Sequence, residues 1–290
     1  MPRMNSLVYT NAQQGQLRRL IPDIVRGREL LRDLVLKDVK VRYRYAAMGL
    51  LWAVLEPLFM MLVLTFVFSV VFRTRVEELG IDSGRKYAVF VLSGLVPWQF
   101  FSTALSTATR SLVDNRALVK KVYFAREIIP LSAIGVAAVN LAIGTLLFAV
   151  VHGTLIGMPH AAAFFWLPVA VLIELALVVG LALLFSCAHA AFRDVGHIVD
   201  AALLFGFYAT PIFYWPGIVH SALAERGLDA YYPAYLANPM AGIVTVCRQA
   251  LFAGTVDAAL LAWPAVAAVL SLVIGAAVFR RRTALLADAL

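Results

Sequence analysis

The sequence predicts an all-α integral membrane protein of six transmembrane helices. Three observations carry that reading. Of 290 residues, 62% are hydrophobic and only 14% charged, with a mean hydropathy of +0.85, whereas soluble domains carry about a quarter charged residues. The apolar residues gather into runs of about 20, the length a hydrocarbon core demands. None of these runs alternates apolar and polar positions as a barrel strand does. Helices, which satisfy their own backbone groups, are the remaining way across.

In chain order, residues 1–16 show no periodicity. Residues 22–40 form a helix, with Pro22 suited to the first turn and Asp23 beside it at the positive dipole end. Leu17, Leu20, Ile24, Leu31, Leu34 and Val35 recur at helical spacing, opposite Arg18, Arg19, Arg26, Arg28, Arg32 and Lys37. That pattern is an amphipathic basic helix lying in the membrane interface. No cleavable signal peptide is expected, because the first 45 residues are polar and the apolar run follows them. The chain therefore divides into an inner N-terminal part, 1–45, and a six-span domain, 46–290.

The spans are expected at 46–72, 87–109 with a break near Pro97, 128–151, 164–191, 196–215 and 258–279. Between the last two lie about forty residues that fit no simple loop. PIFYWPG at 211–217 is rich in proline and aromatics, and 238–251 is apolar but too short to cross. Re-entrant outer helices are the expectation, since irregular backbone at membrane depth needs protein or a watery cavity around it.

Charge gives orientation. With the N-terminus inside, inner segments hold 19 of the 25 Lys and Arg residues and outer segments 6, Arg226 and Arg248 among the latter. Both termini are then cytoplasmic, and Trp166, Trp215 and Trp263 fall near the outer interface. The formal charge of +8 is thereby spent on orientation and not on nucleic acid.

Catalytic signatures are lacking. There is no GxxxxGK[ST] and no GxGxxG, so ATP is not hydrolysed here through a Walker motif. Cys187 and Cys247 fit no metal or redox spacing. His152, His160, His189, His197 and His220 are scattered and read as satisfied side chains. No catalytic, cofactor or metal site is expected on this chain.

Two stretches are candidates for function. Inside the first span, Trp52, Glu56, Phe59, Val63 and Phe66 share one helix face. An acid within a span is costly and usually faces the bundle interior or water. Aromatic rings offer flat faces to pyranose C–H groups, and an acid accepts hydroxyls, so this face suits a sugar path; ordinary helix packing is the competing reading. Glu174, deep in the fourth span, lacks such a stripe. The second stretch is DNRALVKKVYFARE at 114–127, basic and half-polar between two apolar runs. Asp114 or Asn115 can cap a short helix whose apolar face is Leu118, Val119, Val122 and Tyr123, rimmed by Arg116, Lys120 and Lys121. A helix of about ten residues is marginal alone in water. It is stabilised by docking into a partner, or by lying on anionic lipid.

Six segments, in order, resemble one family. KDVKVRYRYAAMGLLWAVLEPLFMMLV at 37–63, VLSGLVPWQFFSTAL at 91–105 and NRALVKKVYFAREIIPLS at 115–132 are similar to the membrane subunits of ABC-type polysaccharide exporters, the O-antigen, capsule and teichoic-acid permeases. So are FRDVGHIVD at 192–200, PIFYWP at 211–216 and NPMAGIV at 238–244. Ala125 departs from the pattern, standing where the family usually has proline. The resemblance implies a homodimer in the bacterial inner membrane, working with two copies of a separate ATPase that uses ATP and Mg. It implies export of a lipid-linked polysaccharide. It makes Asn115, Arg116, Leu118, Val119, Lys120, Lys121, Val122, Tyr123 and Phe124 the ATPase-coupling helix. It places Pro211, Tyr214, Trp215, Asn238 and Pro239 at an outer gate. The alternatives are a permease for a drug or small lipid, and a membrane-embedded transferase acting on lipid-linked sugars.

Overall fold

The computed structural model describes residues 27–44, 49, 51–73, 81, 83–121 and 124–289. Its regular elements are helices. Leu17, Leu20 and Ile24, with Arg18, Arg19 and Arg26, lie outside the described residues, as do Val122 and Tyr123.

Helix α1, Arg28–Arg44, precedes α2, which runs as an α-helix over Leu51–Thr65 and widens to π geometry over Phe66–Val71. α3 is Gly84–Asp114, α4 Arg116–Lys121, α5 Ile128–Leu155 and α6 Ala161–Ala191. α7, Val195–Ala209, is followed by extended residues and by the short helices α8, Pro216–Ala224, α9, Tyr232–Leu236, and α10, Pro239–Arg248. α11, Ala262–Ala289, closes the chain.

Five helices are long and apolar enough to cross a membrane: Leu51–Val71, Gly84–Asp114, Ile128–Leu155, Ala161–Ala191 and Ala258–Arg282. The segment expected as a continuous fifth span, 196–215, is a 15-residue helix that stops at Ala209. At 1.5 Å per residue it covers about 22 Å, less than the roughly 30 Å of a hydrocarbon core. The cause is local: Thr210 is extended, and Pro211 lacks the N–H a continuing helix needs. A second correction concerns Pro97. No break occurs there, and α3 runs unbroken for 31 residues. Its neighbours hold it so closely that one lost backbone bond does not open the helix.

α3 is the buried centre. Tyr87 to Trp98 is buried without interruption, within a core that continues through Phe100, Phe101, Ala104 and Leu105. α5 and α6 pack against it, and α6 also packs along the whole of α11. That last contact depends on missing side chains. A Cβ on Gly275 would stand 2.0 Å from the Gly180 carbonyl oxygen, and one on Gly180 would stand 2.2 Å from the Ser271 backbone. Ser271 Oγ donates to the Leu177 carbonyl across the same seam at 3.3 Å. α2 is the opposite case, with only Pro57 and Met61 buried. α1 lies against α5, where Val35 fills the space over Gly135.

Candidate functional site

The inner joint is built where α3 ends. Asn115 is the C-cap of α3, and its backbone carbonyl accepts from the N–H groups of Leu118 and Val119, starting α4. The side chain does not cap α4 as expected. Its Nδ2 donates back to the Ser111 carbonyl at 2.9 Å, so it finishes α3 instead. The described part of α4 is Arg116–Lys121, residues 122 and 123 lie outside the described residues, and Phe124 follows them. Val119 is 5% exposed and sits in a small inner cluster with Leu112, Ile129, Leu183, Cys187 and Phe279. Leu118 and Phe124 pack against that cluster. Of the apolar face read from the sequence, the two described residues, Leu118 and Val119, are taken up by the protein's own core. What α4 leaves exposed is Arg116, Ala117 and Lys120, while Lys121 ends the helix.

Two ion pairs brace the same end. Arg110 on α3 pairs with Asp200 on α7, joined by Ser106, whose Oγ donates to Asp200 at 2.9 Å. Arg280 Nε on α11 stands 3.9 Å from Glu127. His189 closes the turn from α6 to α7 by accepting the Gly196 N–H on Nδ1 at 3.1 Å, the satisfied role expected for it.

On α2, Trp52, Phe59 and Phe66 are 49%, 55% and 60% exposed. Glu56 lies over a small polar recess that includes Gln99 and Thr103 of α3 and Asn140 of α5. The aromatic members of the stripe are not part of that recess. Glu56 is exposed like the three rings, and alone of the stripe it also borders the recess. Glu174 is fully buried, and neither carboxyl oxygen has a hydrogen-bond partner among the described residues.

The segment between α7 and α10, the candidate gate, is organised around Arg248, which the sequence had contributed only as one of six outer charges. It is completely buried at the C-terminus of α10. All five of its N–H donors are used. Nε donates to Ser93 Oγ at 3.3 Å, Nη1 to the carbonyls of Pro211 and Tyr214, and Nη2 to those of Phe90 and Ile212. The guanidinium also lies 3.6 Å from the Phe90 ring centroid, a favourable cation–π placement. The 211–214 backbone has left helix and strand, so its carbonyls need donors from elsewhere, and one arginine supplies three of them, bonding Phe90 of α3 as well. Tyr87 adds a hydrogen bond from its hydroxyl to the Phe213 carbonyl.

The remaining gate candidates converge on this segment. Asn238 caps α10, accepting the Met240 N–H on Oδ1 at 3.0 Å, and its Nδ2 donates to Thr210 Oγ1 at 2.9 Å. Pro239 occupies the first turn of α10 and Pro216 that of α8. Pro211 is buried, Tyr214 and Trp215 are half-buried, and Tyr214 donates to the Tyr208 carbonyl at 3.0 Å. α10 is buried from Met240 to Arg248. A signal for Arg248 existed in the sequence: an arginine inside the apolar stretch 238–251, as costly there as Glu56 is in the first span.

Among the described residues five helices are long and apolar enough to cross a membrane, which marks a multi-pass membrane protein. No group of three metal-ligating side chains occurs among the described residues. Residues 29–225 match the ABC-2 type transporter family. The chain is 31% identical over 238 residues to the O-antigen export system permease protein RfbA of Myxococcus xanthus, covering 81% of this chain and 84% of that one. It is 28% identical over 230 residues to the protein of the same name from Klebsiella pneumoniae, covering 79% and 82%. To the polysialic acid transport protein KpsM of Escherichia coli it is 24% identical over 257 residues, covering 86% and 92%. The chain belongs to the ABC-2 type transporter family, as a membrane subunit that is not itself catalytic. Permeases of this family pair with an ABC ATPase and usually hold no cofactor of their own.

Proposed function

We propose that this chain is the channel subunit of an ATP-driven exporter of lipid-linked polysaccharide, an O antigen or a capsule, moving it outward across a bacterial inner membrane. The observation that carries the reading is similarity to O-antigen export permeases over about four-fifths of both chains. Two copies form the channel, with two copies of a cytoplasmic ATPase that binds ATP and Mg. The parts are a cytoplasmic N-terminal segment, 1–45, and a permease domain, 46–290. A sixth crossing is made by α7 together with the bent, non-helical residues 210–215 that follow it. The Lys and Arg distribution supports cytoplasmic termini.

In this scheme the ATPase meets α4 through Arg116, Ala117 and Lys120, the face left free, while Val119 ties α4 to the bundle. Nucleotide-driven movement of the ATPase is passed to the ends of α3 and α5. α1 lies at the inner interface. The 211–216 segment and α10 close the outer mouth, because a path wide enough for a glycan would leak ions if open at rest. Glu56, with Trp52, Phe59 and Phe66 beside it, borders the path.

The test is complementation. Cells deleted for this gene should retain polysaccharide inside and recover surface display when the chain is restored together with its ATPase. Normal display without the chain would remove the reading.

A further inference from the structure

Below the recess at Glu56 a second chamber opens toward the inner end. It is an open cleft lined by α1, α3 and α5, with a volume of about 180 Å3. Its polar lining comprises Asp38 and Arg42 of α1, Thr107, Ser111 and Asp114 of α3, and Asn115 at the joint. Thr103 and Ala137 line both chambers, so they adjoin. The upper one, about 50 Å3, has room for a water or two but not for a sugar ring.

Gln99, Thr103, Thr107 and Ser111 recur every four residues and form a polar stripe along α3. Hydroxyls that bond back to their own helix are common in spans. Thr107 does so, donating to the Thr103 carbonyl at 2.6 Å, and Ser111 to that of Ala108 at 2.7 Å. Each spends its proton and presents its oxygen as an acceptor. What exceeds helix packing is the convergence of two carboxylates, a guanidinium and one amide on the same water-accessible chamber, with Asp38 also paired to Lys37 at 3.6 Å.

We propose that the chamber between α1, α3 and α5 binds one neutral saccharide unit at the joint that leads into α4. The donor and acceptor balance selects the class. Each sugar hydroxyl both donates and accepts, and the chamber offers carboxylate and hydroxyl acceptors beside guanidinium and amide donors. A phosphate needs donors, and here Asp38 and Asp114 outnumber Arg42. Asp114 and Asn115 form the end of α3 and the start of the ATPase-facing turn, so an occupied chamber bears on the segment through which the ATPase acts. The proposal rests on the polysaccharide-export reading.

The experiment uses the permease–ATPase complex in lipid nanodiscs, with Cys187 and Cys247 replaced by alanine. Thr107→Cys supplies one thiol reporter and Thr103→Cys a second. The probes are neutral trisaccharide fragments of the host's surface polysaccharide, and inorganic phosphate. Trisaccharide should slow maleimide labelling of the reporters while phosphate leaves it unchanged. Asp114→Asn, or Asp38→Asn, should raise the trisaccharide concentration needed by about tenfold, the loss of one charge-assisted hydrogen bond. Labelling indifferent to trisaccharide, or slowed equally by phosphate, overturns the site. Surface display is scored in the same strains. Display without protection discards the site and keeps the export reading; protection without display does the reverse.

Discussion

The outer mouth and the inner joint solve opposite problems with similar means. Both are short irregular stretches beside α3. At the mouth, 211–214 is held by a buried guanidinium whose every donor is used, by Tyr87 and by the Asn238–Thr210 bond. At the joint, the described part of α4 is six residues long, with Val119 as its only fully buried described side chain and charged residues on its free face. Polar bonding to fixed carbonyls makes the mouth a defined geometry. One apolar anchor under a charged surface makes the joint a place where a partner can pull. The difference teaches that polar bonding fixes the 211–214 segment within this chain, whereas α4 is held by one apolar anchor and leaves its charged face free.

Arg248→Ala is the hardest blow to that comparison. It takes the donor from the carbonyls of Pro211, Ile212 and Tyr214, at about 1–3 kcal/mol each, while Phe90 keeps the hydrogen bond from Ser93 Oγ. Thermal melting in detergent should fall steeply, and a cysteine at Gly217 should label faster with an impermeant reagent. A variant that melts like the parent would mean the mouth is held by something else. Asn238→Ala comes next, losing an N-cap and a cross-link for about 2 kcal/mol, and it should loosen the mouth without altering labelling near α4. Val119→Ala should cost about 1–2 kcal/mol by leaving a cavity and should weaken ATPase stimulation by the permease. The smallest effect on stability belongs to Arg116→Glu with Lys120→Glu, within about 0.5 kcal/mol for exposed positions. That double variant should nevertheless lose co-purifying ATPase. Retained ATPase would move the contact off α4.

The spans were legible because a hydrocarbon core imposes its length on composition, so residues 128–155 and 161–191 announce themselves. The α10 helix was legible too, since Asn238-Pro239 is a start signal that the structure uses as such. Val119 was visible as part of an apolar face, but an apolar face does not state what covers it, and the cover is Leu112, Ile129 and Phe279 from three other helices. Glu56 stood out by its charge; its neighbours Gln99 and Asn140 are ordinary residues until folding sets them opposite it. Arg248 was hidden by being counted with loop charges. Five acceptors drawn from two distant segments cannot be read from local spacing.

The glycine seam between α6 and α11 has a mechanical consequence. With Gly275 and Gly180 in backbone contact, neither helix can slide or roll past the other without a collision. The pair is a single lever arm reaching from the inner cluster at Cys187 and Phe279 to the Trp263 indole, which donates to the Ala237 carbonyl just before α10. A tilt imposed at one end is delivered to the other without being absorbed along the way.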